Sequence, residues 1–318
     1  MLSSEHLPNQ TQGGPEPTNR GILGALDAWV QENPWHPRIL PFAAYIIFLP
    51  LVQWLEGLDP RTYPFVYSVQ CLLVVWLLWR YRQLLPELNI RFHWLAVPIG
   101  VGVVVAWILL GWAMAGELGV RCAALADGQW LGRIDYGDDS SEVGMFATTE
   151  PHPFIKFKEK HPGFADVSLV LRLLGMSIVV PLFEELFIRS LMLRSLHRWR
   201  PTRTGLLQVL QDMPVIGDWI GGTTVGERAA NEPPVFGREF SRNPLGALTV
   251  FGVCASTFVF MINHMPRDWP GTIACGVAYC WILYATRAKG LGPVCWAHGI
   301  TNALLWFYTV KTGDWQFL

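Results

Sequence analysis

The chain has 318 residues, of which 51% are hydrophobic and only 15% charged, and its formal net charge is -1. That balance excludes nucleic acid as an expected partner and points to a membrane location. Its 16 tryptophans fit the same reading, because indole rings favour bilayer interfaces.

The first 20 residues, rich in Pro, Gly, Gln and Thr, read as a disordered tail. Ile22–Val30 reads as a short surface helix, so 1–38 forms a peripheral region. The first apolar run comes late and lacks a small-residue cleavage site, unlike a signal peptide. A helix needs about 20 apolar residues to cross the hydrocarbon core. Runs at Ile39–Leu55, Thr62–Trp79 and Trp94–Gly116 predict three N-terminal spans within 39–116.

Gly116–Asp166 reads as a polar loop, first acidic (Asp135, Asp138, Asp139, Glu142) and then basic (Lys156, Lys158, Lys160). A solvated connector is the simple reading of 117–166, and a lid or docking loop is the alternative. A fourth span is expected at Ser168–Leu196, interrupted by Arg172, and three more at Asn243–Arg267, Trp269–Thr286 and Gly290–Val310. Between them lies a polar insertion, 199–242, whose stretch Gly205–Ile220 is broken by Asp212, Pro214 and Asp218 and reads as interfacial or re-entrant. The expected fold is an all-α polytopic transmembrane bundle of about seven to eight spans, with 167–310 as its functional part.

Basic residues fall at Arg80, Arg82 and Arg91, at Arg194, Arg198, Arg200 and Arg203, and at Arg287 and Lys289. A seven-span topology puts all three groups, with the N-terminus, on the cytoplasmic side. Six cysteines (Cys71, Cys122, Cys254, Cys275, Cys280, Cys295) include no CxxC pair, and five lie in apolar segments. They read as small buried hydrophobes rather than disulfides or metal ligands.

Three turns inside the apolar segments carry the chemistry: Glu184-Glu185-Leu186-Phe187-Ile188-Arg189, Phe260-Met261-Ile262-Asn263-His264 and His298-Gly299-Ile300-Thr301-Asn302. Ionisable residues within a bilayer are expensive and functional by default. Glu185 and Arg189 are four apart, on one helix face, and can form an ion pair. Glu184, rotated about 100° away, remains for general acid–base work. Pro181 removes one helix hydrogen bond and predicts a local kink near Glu184. Phe260 places an aromatic wall beside His264, while His298 and Asn302 offer imidazole and carboxamide donors suited to a developing oxyanion. Each turn also has a plain structural reading: a charge cluster, an interfacial histidine, or polar residues joining helices.

Together, the EExxxR, FxxxH and HxxxN turns resemble those of the CPBP intramembrane proteases, the group of type II CAAX prenyl endopeptidases (Rce1-like) and their bacterial relatives. The extra N-terminal spans resemble those of members that accompany exosortase-type sorting systems. The resemblance, over Val167–Val310, implies hydrolysis of a peptide bond in membrane-anchored or prenylated protein substrates, with membrane lipids as surroundings. It implies that Glu184 and His264 activate water, that His298 and Asn302 stabilise the oxyanion, and that Glu185, Arg189 and Phe260 support them. No cofactor is expected; the alternative is a zinc ion on Glu184, His264 and His298, although no HExxH is present. A non-proteolytic binding or immunity protein is a further alternative.

Two features depart from the family pattern: the long 199–242 insertion, and Ser190 where glycine often follows the motif arginine. The resemblance also implies a multi-pass membrane protein, in the plasma membrane if bacterial. Straight helices would leave Glu184, His264 and His298 at different depths, so a shared site requires tilt, a kink or a span that starts below the surface.

Overall fold

The computed structural model describes residues 21–115, 153–197, 223, 238–287 and 289–317. Among the described residues the regular structure is helical, with no strand. The expected tail, residues 117–152 of the expected loop 117–166, and residues 199–222 and 224–237 of the insertion 199–242, including Gly205–Ile220, lie outside them.

The helices are α1 (Ile22–Glu32), α2 (His36–Leu58), α3 (Tyr63–Arg80), α4 (Ala96–Ala115), α5 (Pro153–Lys160), α6 (Pro162–Ser195), α7 (Val250–Ile262), α8 (Trp269–Ala285) and α9 (Gly292–Thr312). Each of the seven expected spans contains a helix. Four helical stretches, His36–Leu58, Pro60–Arg80, Ala96–Ala113 and Pro162–Ser195, are long and apolar enough to cross a membrane. Large apolar side chains such as Trp54, Phe65, Leu72, Val101 and Val170 point outward along them, as lipid contact requires.

Two expectations need correction. The run Asn243–Arg267 is helical only over the 13 residues Val250–Ile262. Thr249 caps that helix by accepting from the Gly252 N–H at 3.0 Å, so the apolar residues before it stay outside. At about 1.5 Å per residue, α7 is about 20 Å long, shorter than the roughly 30 Å hydrocarbon core. The expected loop before Asp166 contains α5 and the start of α6. Its lysines hide an amphipathic turn: Phe154 and Phe157 sit three apart, and Phe154 meets Trp315 at 4.8 Å.

Helix α9 is the central strut. It lies along α4 and against α6 and α8, while α2 pairs with α3 and α7 with α8. A Cβ at Gly299 would stand 2.5 Å from the Ser177 carbonyl oxygen, so glycine permits the close crossing of α9 on α6. The segment after α3 anchors the start of α9, where Leu291 N–H donates to the Glu87 carbonyl at 2.7 Å and Gly292 N–H to the Asn89 carbonyl at 2.9 Å.

A buried ionic cluster closes this end. Arg38 of α2 forms two hydrogen bonds to Glu87, at 2.5 and 2.8 Å. Ser190 of α6 donates to Glu87, and Arg194 approaches the same carboxylate at 3.7 Å. Ser190 therefore has a structural task here. Phe240 lies under both guanidiniums, at 5.1 and 5.2 Å. The start of α2, the turn after α3 and the end of α6 thus lie together.

Removing one partner of a buried pair strands the other charge and costs about 3–5 kcal/mol. Arg38→Ala should therefore lower the thermal midpoint of the purified chain steeply. Arg61→Ala, at the exposed Asp59–Arg61 pair, should leave it close to that of the parent.

Candidate active site

Glu184, Glu185 and Arg189 lie on α6, but that helix is not regular. π-Helical turns at Gly175–Val179 and Leu186–Met192 flank an α-helical piece, Val180–Glu185. The expected kink at Pro181 takes this form. Proline has no N–H to give, and the register shifts around it. π-Turns are frequent at functional sites because they rotate side chains and loosen carbonyls. The Met176 carbonyl, within the first π-turn, accepts a 2.6 Å hydrogen bond from Asn302 Nδ2 of α9.

Glu185 and Arg189 are fully buried and 3.3 Å apart. Their contact is poorly aligned: the Arg189 nitrogens and Glu185 Oε2 make no hydrogen bond. Charge and ring contacts hold Arg189 instead, with Phe260 at 5.5 Å and Tyr279 at 6.0 Å from its guanidinium carbon. The other Glu185 oxygen, Oε1, lies 2.8 Å from His298 Nδ1. That hydrogen bond sets the ring so that Nε2 faces Glu184 Oε2 at 3.8 Å. Tyr279 covers the ring at 5.3 Å and donates its own hydroxyl hydrogen to Thr301 at 2.8 Å.

His264 lies just past the end of α7. Its Nδ1 is 2.9 Å from the Phe260 carbonyl oxygen, which leaves Nε2 as its working nitrogen. Phe260 stands between the two imidazoles, with ring centroids 4.6 Å from His264 and 6.2 Å from His298. Trp107 of α4 meets the His264 ring at 6.1 Å.

The structure therefore gathers Glu184, Glu185, Arg189, Phe260 and His298 around one buried point. His264 lies against it through Phe260, and Asn302 one turn along α9 from His298. The imidazole that approaches Glu184 is that of His298. Sequence reasoning did not assign Glu185 the task of orienting His298, nor did it select Tyr279 and Trp107. No local pattern marks any of these, because the partners are far apart in the chain.

Among the described residues, no three His, Cys, Asp or Glu side chains form a group able to hold a metal ion. The alternative zinc set of Glu184, His264 and His298 is not assembled in this conformation. Of the cysteines, Cys275, Cys280 and Cys295 are buried, whereas Cys254 is exposed, and all are unpaired among the described residues.

Residues 234–304 match the family model for type II CAAX prenyl endopeptidase Rce1-like proteins. This segment is Rce1-like. It contains Phe260, His264, His298 and Asn302; Glu184–Arg189 lies before it. No curated protein and no solved structure matches the chain. The Rce1-like family is a membrane-embedded protease family.

The Glu185–Arg189 contact should behave as one unit. Glu185→Gln and Arg189→Met should each destabilise by about 3–5 kcal/mol. The double variant should lose less than the sum, by a coupling of about 0.5–3 kcal/mol, in thermal unfolding of the detergent-solubilised chain.

Proposed function

We propose that the chain is an intramembrane endopeptidase that hydrolyses a peptide bond in membrane-anchored, CAAX-type or similar substrates by a water that Glu184 and His264 activate. The observation that carries this reading is His298, fixed at Nδ1 by the buried Glu185 and turned at Nε2 toward Glu184. A fold that needed only to bury its charges would have no use for a second carboxylate on the far side of that ring.

In the proposed step, Glu184 and His264 Nε2 take a proton from water, and the hydroxide attacks the scissile carbonyl carbon. The carbonyl oxygen becomes an oxyanion. Asn302 can donate to it, because Met176 takes only one of the two amide hydrogens. His298 donates through Nε2 when that nitrogen carries a proton. The C–N bond then breaks as Glu184 returns the proton to the leaving nitrogen, and the products are a carboxylic acid, which ionises in water, and an amine. Preorganised donors in a water-poor site are worth far more than in water. The proposed setting is a multi-pass membrane protein, in the plasma membrane if the source is bacterial; four helical stretches long and apolar enough to cross a bilayer support it. Membrane lipids and a lipid-anchored or prenylated substrate are the proposed partners.

Glu184→Ala and His264→Ala should abolish cleavage of a membrane-anchored substrate while leaving the chain folded. Asn302→Ala should lower kcat by about 10²–10³. If both of the first two variants keep the phenotype of the parent chain, the enzyme reading fails and the non-proteolytic alternative is favoured. Exhaustive phenanthroline treatment should leave activity intact, whereas loss restored by added zinc would establish the metal-dependent version instead.

A further inference from the structure

His264 is not held by helical geometry. Helix α7 ends at Ile262, and the imidazole belongs to the short connection that leads into α8. The backbone there is tied down: His264 N–H donates to the Met261 carbonyl at 3.0 Å, and the Trp269 indole N–H donates to the His264 carbonyl at 3.2 Å. The ring itself has one hydrogen bond, from Nδ1 to the Phe260 carbonyl. A single hydrogen bond selects which nitrogen works but leaves the ring free to turn about it. Two aromatic rings limit that turn, Phe260 at 4.6 Å and Trp107 at 6.1 Å. Trp107 comes from α4, which precedes the matched segment 234–304, and the proposed hydrolysis does not use it.

Two glycines set α4 in place for this contact. A Cβ at Gly271, in the first turn of α8, would stand 2.5 Å from Trp107 Cδ2. The indole thus reaches His264 across space that any other residue at 271 would fill. Gly100 lies two helical turns before Trp107 and on nearly the same face of α4. A Cβ there would stand 2.8 Å from the carbonyl oxygen of Ala297, the residue before His298. The Thr301 hydroxyl, which accepts from Tyr279, lies 3.2 Å from the Gly100 carbonyl oxygen. One stretch of α4, about 10 Å long, therefore touches the His298 turn of α9 at one end and the His264 ring at the other. The two imidazoles belong to different helices, and α4 is stiff over that length.

We propose that Trp107 is a positioning residue: α4, seated on the His298 turn at Gly100, uses the indole to hold the His264 imidazole at a set distance from His298. This rests on the endopeptidase reading for the task of His264, and a spectroscopic readout separates the two claims.

In cleavage of a membrane-anchored peptide by the purified full-length chain in detergent, Trp107→Ala should lower kcat about tenfold to a hundredfold and leave KM nearly unchanged. Trp107→Phe, which keeps a ring, should recover most of that loss. Trp107→Leu, which keeps apolar bulk without a ring, should behave as Trp107→Ala and carries the test if the smaller side chain does not fold. Gly271→Ala puts a methyl group where the indole lies and should lower kcat alike, but should cost little more when added to Trp107→Ala. Val105→Ala, on the exposed side of α4, should match the parent. With carbon-13 in the histidine rings, the His264 signal, assigned by its loss in His264→Gln, should shift in Trp107→Ala as the indole ring current is removed, while that of His298 stays in place. An unmoved His264 signal in a folded ring-less variant overturns the proposal, and so does a kcat equal to the parent's. If the signal shifts but the parent chain cleaves no peptide, the endopeptidase reading fails and the positioning contact stands.

Discussion

The site depends on the placement of one carboxylate. Glu185 is fully buried between Arg189, 3.3 Å away on its own helix, and His298, 2.8 Å away on α9. A lone ion there would be costly in the interior or in lipid. Arg189 offsets that cost and leaves one Glu185 oxygen to hold the imidazole. The consequence reaches the neighbouring residue: Glu184, one position earlier and on a different face, meets the other nitrogen of the same ring. Two adjacent glutamates thus take separate tasks through rotation about the helix axis and different surroundings.

The backbone makes this placement possible. An uninterrupted α-helix through Pro181 would leave a carbonyl without its partner and would set Glu184 and Arg189 in a different register with α9. The π-turns on either side of Val180–Glu185 absorb the mismatch, and Asn302 takes up the Met176 carbonyl. Gly299 lets the two helices approach closely enough for both contacts. The short helix α7, which begins at its Thr249 cap, brings Phe260 against His298, with His264 beside Phe260. The tilt, kink or late start that straight helices would have required is thus supplied by two π-turns and one short helix.

Much of this was legible in the sequence, because length and apolarity are local properties. All seven apolar runs contain helices, and the four-residue spacing of Glu185 and Arg189 gives the ion pair. Pro181 announces a disturbance, though not its π-helical form. Other features were hidden because they depend on distant partners or on competing signals. Arg38, Glu87 and Ser190 form one cluster although 49 and 103 residues separate them from Glu87, and nothing local marks Glu87 as buried. The lysines of α5 masked its aromatic face. The apolar residues before Thr249 suggested a longer helix than the cap allows. The contact of Glu185 with His298 spans 113 residues, so the motifs named both residues without revealing that they touch.

The central claim is hydrolysis within the membrane by Glu184 with His264 and His298. Its most direct test maps peptide termini quantitatively in membranes that hold either the parent chain or Glu184→Ala at equal abundance. The account predicts at least one new terminus in a membrane-anchored protein that is present with the parent and missing with the variant. Identical sets of termini, with the parent chain folded and its substrates present, would contradict it.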